Sequence, residues 1–146
     1  MENSVEKTEK ILEPCWRSFI VYYLAIGLCI LGPHLNPQFS HQLGLTPNRG
    51  LIIGLILLLG VGYLKWNQEY RISSQGVKKL GRIPAREEEM TWAEVDQVEV
   101  RRGLTQTLLN VGNIIIKPVS PVGKQMVFYG IDNPKQIKNL IDRWRS

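Results

Sequence analysis

Two long stretches of this chain carry no charge at all. From Ser18 to Asn48 there is no Asp, Glu, Lys or Arg, and from Gly50 to Leu64 there is again none; Arg49 alone separates the two. All the remaining charged residues, from a total of 18 basic and 13 acidic in 146 residues, lie outside this region. A single globular core draws its polar surface from every part of the chain and does not segregate charge in this way. A membrane-anchored protein does. With 44% hydrophobic residues the chain is too apolar to be disordered, and two cysteines do not build a disulfide scaffold.

The apolar runs within these stretches are Ser18–Leu31 and Leu51–Leu64. Each is short for a membrane, because a helix of about 15 residues rises only ~22 Å against ~30 Å of hydrocarbon. The flanks supply the difference. Trp16 and Arg17 open the first run and Lys65 and Trp66 close the second, which suits interfacial anchors: the indoles sit at the headgroup level and the basic stems snorkel. The first helix also continues without a charge through Gly32 and Pro33 to Leu35. The expected spans are about 17–35 and 50–66. A pair of buried helices in a soluble protein is the plainer alternative, but the rest of the chain is too small to wrap two helices that are apolar on every face. A secretory leader would be basic, whereas residues 1–16 hold four Glu against Lys7 and Lys10, and no small-residue cleavage site follows the run. Cys29 is not a lipoprotein site, since Leu28 stands where a small residue belongs.

Basic residues set the orientation. Lys7, Lys10 and Arg17 precede the first run, and Lys65, Arg71, Lys78, Lys79 and Arg82 follow the second; the intervening segment 33–48 has none. Both termini are therefore expected in the cytoplasm. The segment 33–48, with three prolines, reads as an irregular external connector. Gly50 and Gly54 form a G-x-x-x-G pair, which permits close helix packing within the hairpin or between copies.

From residue 67 onward the pattern changes to short strands separated by turn residues. Candidate strands are Tyr70–Ser73, Val77–Ile83, Glu87–Trp92, Val95–Val100, Asn113–Lys117 and Gln125–Tyr129. Leu104–Val111 is apolar but irregular. The end reads as a helix: Asn133 can cap it, Pro134 suits its first position, and Ile137, Leu140, Ile141 and Trp144 form one stripe. The fold class is α+β, an N-terminal transmembrane helical hairpin followed by several antiparallel strands closed by one amphipathic helix.

Four segments of this domain, Tyr70–Gly76, Met90–Val100, Leu108–Ile116 and Gly130–Pro134, resemble the bacterial pleckstrin-homology (PH) domains, whose membrane-anchored members carry a transmembrane pair before the domain. The resemblance covers residues 51–146, and Leu108-Leu-Asn-Val-Gly112 with its following strand is its most specific part. It implies a PH-like antiparallel β sandwich or open barrel capped by the C-terminal helix, but not one activity. The expected organisation is a cytoplasmic segment 1–16, a transmembrane hairpin 17–66 and a PH-like cytoplasmic domain 67–146, in the bacterial inner membrane.

No residue pattern points to catalysis. Cys15 and Cys29 have no partner motif, His34 and His41 have no carboxylate nearby in sequence, and Glu87-Glu88-Glu89 reads as a solvated edge. There is no phosphate loop, nucleophile elbow or zincin motif. No cofactor, metal or small-molecule substrate is expected. The net charge of +5 resides in residues 65–146, because residues 1–64 balance. Lys78, Lys79, Arg82 and Arg86 are the densest basic cluster and the candidate lipid-facing site, each worth up to ~1 kcal/mol beside an anionic leaflet. The same charges also serve the topology rule alone. PH domains that bind phosphoinositides place basic residues at the first hairpin loop; here Ser73–Gly76 is uncharged, which argues against specific inositol-phosphate recognition. Nucleic acid is not an expected partner, since no aromatic platform accompanies the cations. The expected function is non-enzymatic: an interaction or assembly module on a two-span protein, whose partners are the bilayer and either a second copy or another membrane protein. The alternative is a small subunit or regulator of a larger membrane complex.

Overall fold

The computed structural model of the chain describes residues 9–146. Lys7 and the other residues before Glu9, which entered the basic count and the expected segment 1–16, lie outside the described residues. Two compact units make up the chain. One is the continuous helical segment Phe19–Trp66; the other joins the residues up to Ser18 with Asn67–Ser146. The helical unit is thus an insertion within the second unit rather than a segment preceding it.

The second unit is built of two antiparallel sheets. The first has the order β1 (Lys10–Leu12), β2 (Gln68–Ile72), β3 (Gly76–Gly81), β4 (Arg86–Thr91). The second consists of β5 (Val95–Arg101), β6 (Val111–Pro118) and β7 (Met126–Asp132). Strand β1 corrects the reading of residues 1–16 as a separate segment. Lys10, Ile11 and Leu12 stand opposite Ile72, Arg71 and Tyr70, so this short piece completes the first sheet. Three residues are too few to show a period, and their partner is remote in sequence, which is why the strand is not legible locally.

After β1 the chain crosses to the other sheet. The Cys15 N–H donates to the Gly130 carbonyl at 2.7 Å, and Ser18 Oγ would lie 2.5 Å from any Cβ at Gly130. Gly130 also has φ +64°, so two independent constraints require glycine there. The opposite corner is turned by Thr91–Glu94. Glu94 accepts from the Thr91 N–H at 2.8 Å and from its hydroxyl at 2.9 Å, and these bonds hold its carboxylate below the usual range.

Alternation places Tyr70, Ile72, Val77 and Met90 of the first sheet against Val98, Ile114, Ile116, Met126 and Phe128 of the second. Tyr70 stacks on Phe128 with ring centroids 4.5 Å apart, and its hydroxyl accepts from the Tyr129 N–H at 2.9 Å. Burial pushes that phenol upward. The C-terminal helix, α5 (Pro134–Arg145), lays Ile137 and Ile141 into this core, with Trp144 partly covered. The stripe expected from sequence included Leu140, which is only partly buried. The helix meets the sheet along its i, i+4 line, and Leu140 stands at the margin. Asn133 is left-handed, with φ 47°, and makes no side-chain cap; its side-chain oxygen accepts from Asn110 instead.

The helical unit comprises α1 (Ile20–Leu35, entered through a 3-10 turn at Trp16–Phe19), α2 (Pro37–Gln42) and α3 (Pro47–Asn67). The segment expected to be irregular therefore contains a short helix, begun by Pro37, a residue favoured at the first helical position. Two helical stretches, Trp16–Leu35 of 20 residues and Pro47–Asn67 of 21, are long and apolar enough to cross a membrane. Only 11% and 17% of their apolar windows are buried, and Leu24, Leu28, Leu55 and Leu59 are exposed. Gly50 and Gly54 lie where these helices touch: a Cβ at Gly50 would fall 2.1 Å from the Cys29 carbonyl oxygen, and one at Gly54 2.7 Å from Ile30 Cγ1. The glycine pair thus packs the hairpin internally.

In the second unit, α4 (Leu104–Leu108) occupies the β5–β6 connection, where sequence showed an irregular apolar stretch. The Gly103 N–H donates to Gln106 Oε1 at 2.9 Å and starts the turn.

Candidate functional site

The basic cluster read from sequence is divided by the pleat of β3. Lys78 and Lys79 point to opposite faces. Lys78 sits opposite Glu89 and binds it at 3.1 Å, with Glu87 at 3.7 Å; Glu89 first, and Glu87 after it, raise the Lys78 ammonium above its ordinary value. Arg82 binds Glu69 at 3.2 Å, and Arg71 binds the same carboxylate at 2.6 Å. Glu69 is therefore held below the usual carboxylate range, chiefly by its hydrogen bond from Arg71. Lys78 and Arg82 have acidic partners within the domain.

Lys79 and Arg86 instead meet on the inner face. They line a pocket of about 370 Å³ with Gln68, Glu88 and Lys124. Lys124 comes from the β6–β7 loop and binds Glu88 at 2.6 Å, which lowers that carboxyl. The Lys79 ammonium lies 5.3 Å from the Tyr129 ring centroid, a cation–π distance. Its partial burial lowers its basicity, and Glu88 opposes that effect. Three cations share one carboxylate here, so the pocket has excess positive charge and suits an anion. Sequence reading missed Lys124 because it lies in a different hairpin. The available signal was its isolation: it is the only charged residue between Lys117 and Asp132.

A second concavity of about 620 Å³ runs beside β4, which among the described residues is an edge strand of its sheet. Met90, Ala93, Pro118, Val119 and Met126 form its apolar floor, and Glu87, Glu89 and Glu94 stand on its rim. An open edge beside an apolar floor is the arrangement that accepts an extended segment through main-chain hydrogen bonds. The Glu87-Glu88-Glu89 run is not simply solvated, since the strand sends its outer two members to Lys78 and the middle one to Lys124.

Of the residues expected to be interfacial anchors, Arg17 is tied into the β domain: Nη2 lies 2.7 Å from Asp132 and Nη1 donates to the Leu109 carbonyl at 3.3 Å. Trp16 and Trp66 are exposed, and Lys65 is partly buried in the last turn of α3. Cys15 and Cys29 are free thiols, and His34 and His41 are exposed. Among the described residues, no three His, Cys, Asp or Glu side chains stand together as metal ligands would.

The sequence model of the bacterial PH domain family matches residues 20–144. That stretch takes in both apolar helices as well as β2–β7 and nearly all of α5, a longer span than the resemblance noted in the sequence. Neither a curated protein nor a solved structure matches the chain.

Proposed function

The chain belongs to the bacterial PH domain family, and we propose that it is a non-enzymatic, two-span inner-membrane protein whose β domain is a cytoplasmic interaction and assembly module. One observation carries this reading. The helical unit leaves the β domain after β1 and returns at β2, and β1 and β2 are neighbours in one sheet. Both ends of the insertion must then lie on the same side of any membrane, and two crossing helices satisfy that requirement. The excess of Lys and Arg outside the 33–48 segment supports the cytoplasm as that side.

The groove beside β4 is the surface we assign to a protein partner, which would add an extended segment to the sheet edge. The pocket of Lys79, Arg86 and Lys124 adds a non-specific attraction for anionic lipid. The alternative, in which the hairpin joins a larger membrane complex, is favoured by Gly60 and Gly62, where an added Cβ would meet nothing within 4 Å.

Topology is tested with a membrane-impermeant thiol reagent on intact cells. A cysteine at Gln42, exposed in α2, should be labelled, and one at Ser146 should not. The reverse pattern sinks the orientation. Crosslinking in native membranes from a photoreactive residue at Val119 then separates the two functional readings. Adducts through the groove support the module; adducts found only from Gly60 or Gly62 favour the hairpin.

A further inference from the structure

The β5–β6 connection carries two side chains that the domain leaves uncovered. Leu104 and Leu108 are 89% and 87% exposed, at the first and last positions of α4. Their i, i+4 spacing puts both on one face of the helix. Isolated exposed leucines are ordinary, but this pair has a defined location. Leu109, the next residue, gives its carbonyl to Arg17, and Arg17 also binds Asp132 at the end of β7. Arg17 stands in the first turn of the Trp16–Leu35 helix, two residues from its apolar part, and two residues span at most ~7 Å. The residue after α4 is thus tied to Arg17, and two residues later the chain leaves the β domain for the helical unit.

The surrounding charge agrees with a lipid surface. Arg101, exposed at the end of β5, lies three residues before α4, and no Asp or Glu occurs in the sequence between Glu99 and Asp132. An exposed arginine beside two exposed leucines, with no acidic residue in the same stretch of chain, suits the boundary between anionic headgroups and acyl chains.

We propose that α4 is a membrane-inserting element: Leu104 and Leu108 enter the interfacial layer of the bilayer, with Arg101 among the headgroups. The occupant of this uncovered face is lipid. Together with the two helix connections, α4 makes a further attachment of the β domain to the bilayer and fixes which side of the domain faces it. The proposal rests on the reading of the helical unit as membrane-spanning.

The test uses the full chain, with Cys15 and Cys29 replaced by Ser, in vesicles of phosphatidylcholine and phosphatidylglycerol. Nitroxide labels are placed singly at Leu104→Cys and Leu108→Cys. Controls are Leu58→Cys on α3 and Gln75→Cys at the exposed β2–β3 turn. Accessibility to oxygen, which concentrates in lipid, is compared with accessibility to a water-soluble nickel chelate. The expected result is an oxygen-to-nickel ratio at 104 and 108 several-fold above that at Gln75, approaching that at Leu58. A ratio equal to that at Gln75, with Leu58 still lipid-like, overturns the proposal and leaves the membrane reading standing. A water-like ratio at Leu58 as well overturns both. Protection of 104 and 108 from both reagents means a protein surface covers α4, and this also overturns the lipid assignment.

Discussion

Leu12 stands opposite Tyr70 in the pairing of β1 with β2, although the whole helical unit lies between them along the chain. Tyr70 is fully buried, and Leu12 packs on the same core. The short N-terminal strand therefore covers an edge that the rest of the domain cannot cover for itself. An uncovered strand offers unpaired backbone groups and invites association.

It follows that residues 67–146 alone are an incomplete domain. A chain in which residues 9–18 are joined to 67–146 through a flexible Gly/Ser linker should be more stable, by about 2 kcal/mol or more, and monomeric. Urea denaturation and sedimentation of the two proteins check this. Equal midpoints would show that β1 contributes nothing.

Helix α5 offers a paired comparison. Ile141 is fully buried, so Ile141→Asp should cost several kcal/mol, on the order of 3 or more, by burying an unpaired charge. Leu140→Ala, at the margin, should cost about 1 kcal/mol or less. Thermal melts of the linked β domain measure both. Similar losses from the two changes would place the docking face of the helix elsewhere.

Acid sensitivity should be traceable to Glu69, whose side chain is 13% exposed between Arg71 and Arg82. Its folded value is depressed. The stabilisation is therefore complete above the ordinary carboxylate value near 4.3 and is lost as pH falls through the lower, folded value. Glu69→Gln should remove about 1 kcal/mol at neutral pH and flatten the fall in stability below pH ~4. Stability profiles from pH 7 to pH 2 with the same slope in both proteins would exclude Glu69 as the source.

The glycines of the hairpin should separate sharply. Gly50→Ala places a methyl against the Cys29 carbonyl and requires the helices to move apart, at about 1–3 kcal/mol. Gly60→Ala meets open space and removes a flexible residue from a helix interior, so it should be neutral or stabilising by up to ~1 kcal/mol. Thermal inactivation in detergent, read as loss of monodispersity, distinguishes them. If Gly60→Ala is the harmful change, the free glycine face is in use.

Local sequence determined a great deal here. The two uncharged runs define the helices, because a helix apolar on all faces needs no partner to be recognised. The period-two alternation of Tyr70 and Ile72, and the i, i+4 spacing of Ile137 and Ile141, mark strand and helix for the same reason: each pattern is complete within a few residues. The tertiary structure alone decided that Lys10–Leu12 belongs to the sheet, since a three-residue strand exists only through its partner. It also decided the fate of the basic cluster. Lys78 and Lys79 are adjacent in sequence but opposed across a pleat, whereas Lys79 and Lys124 meet only because two hairpins fold onto one another. Strand periodicity is a property of neighbours along the chain; a charged pocket is a property of neighbours in space.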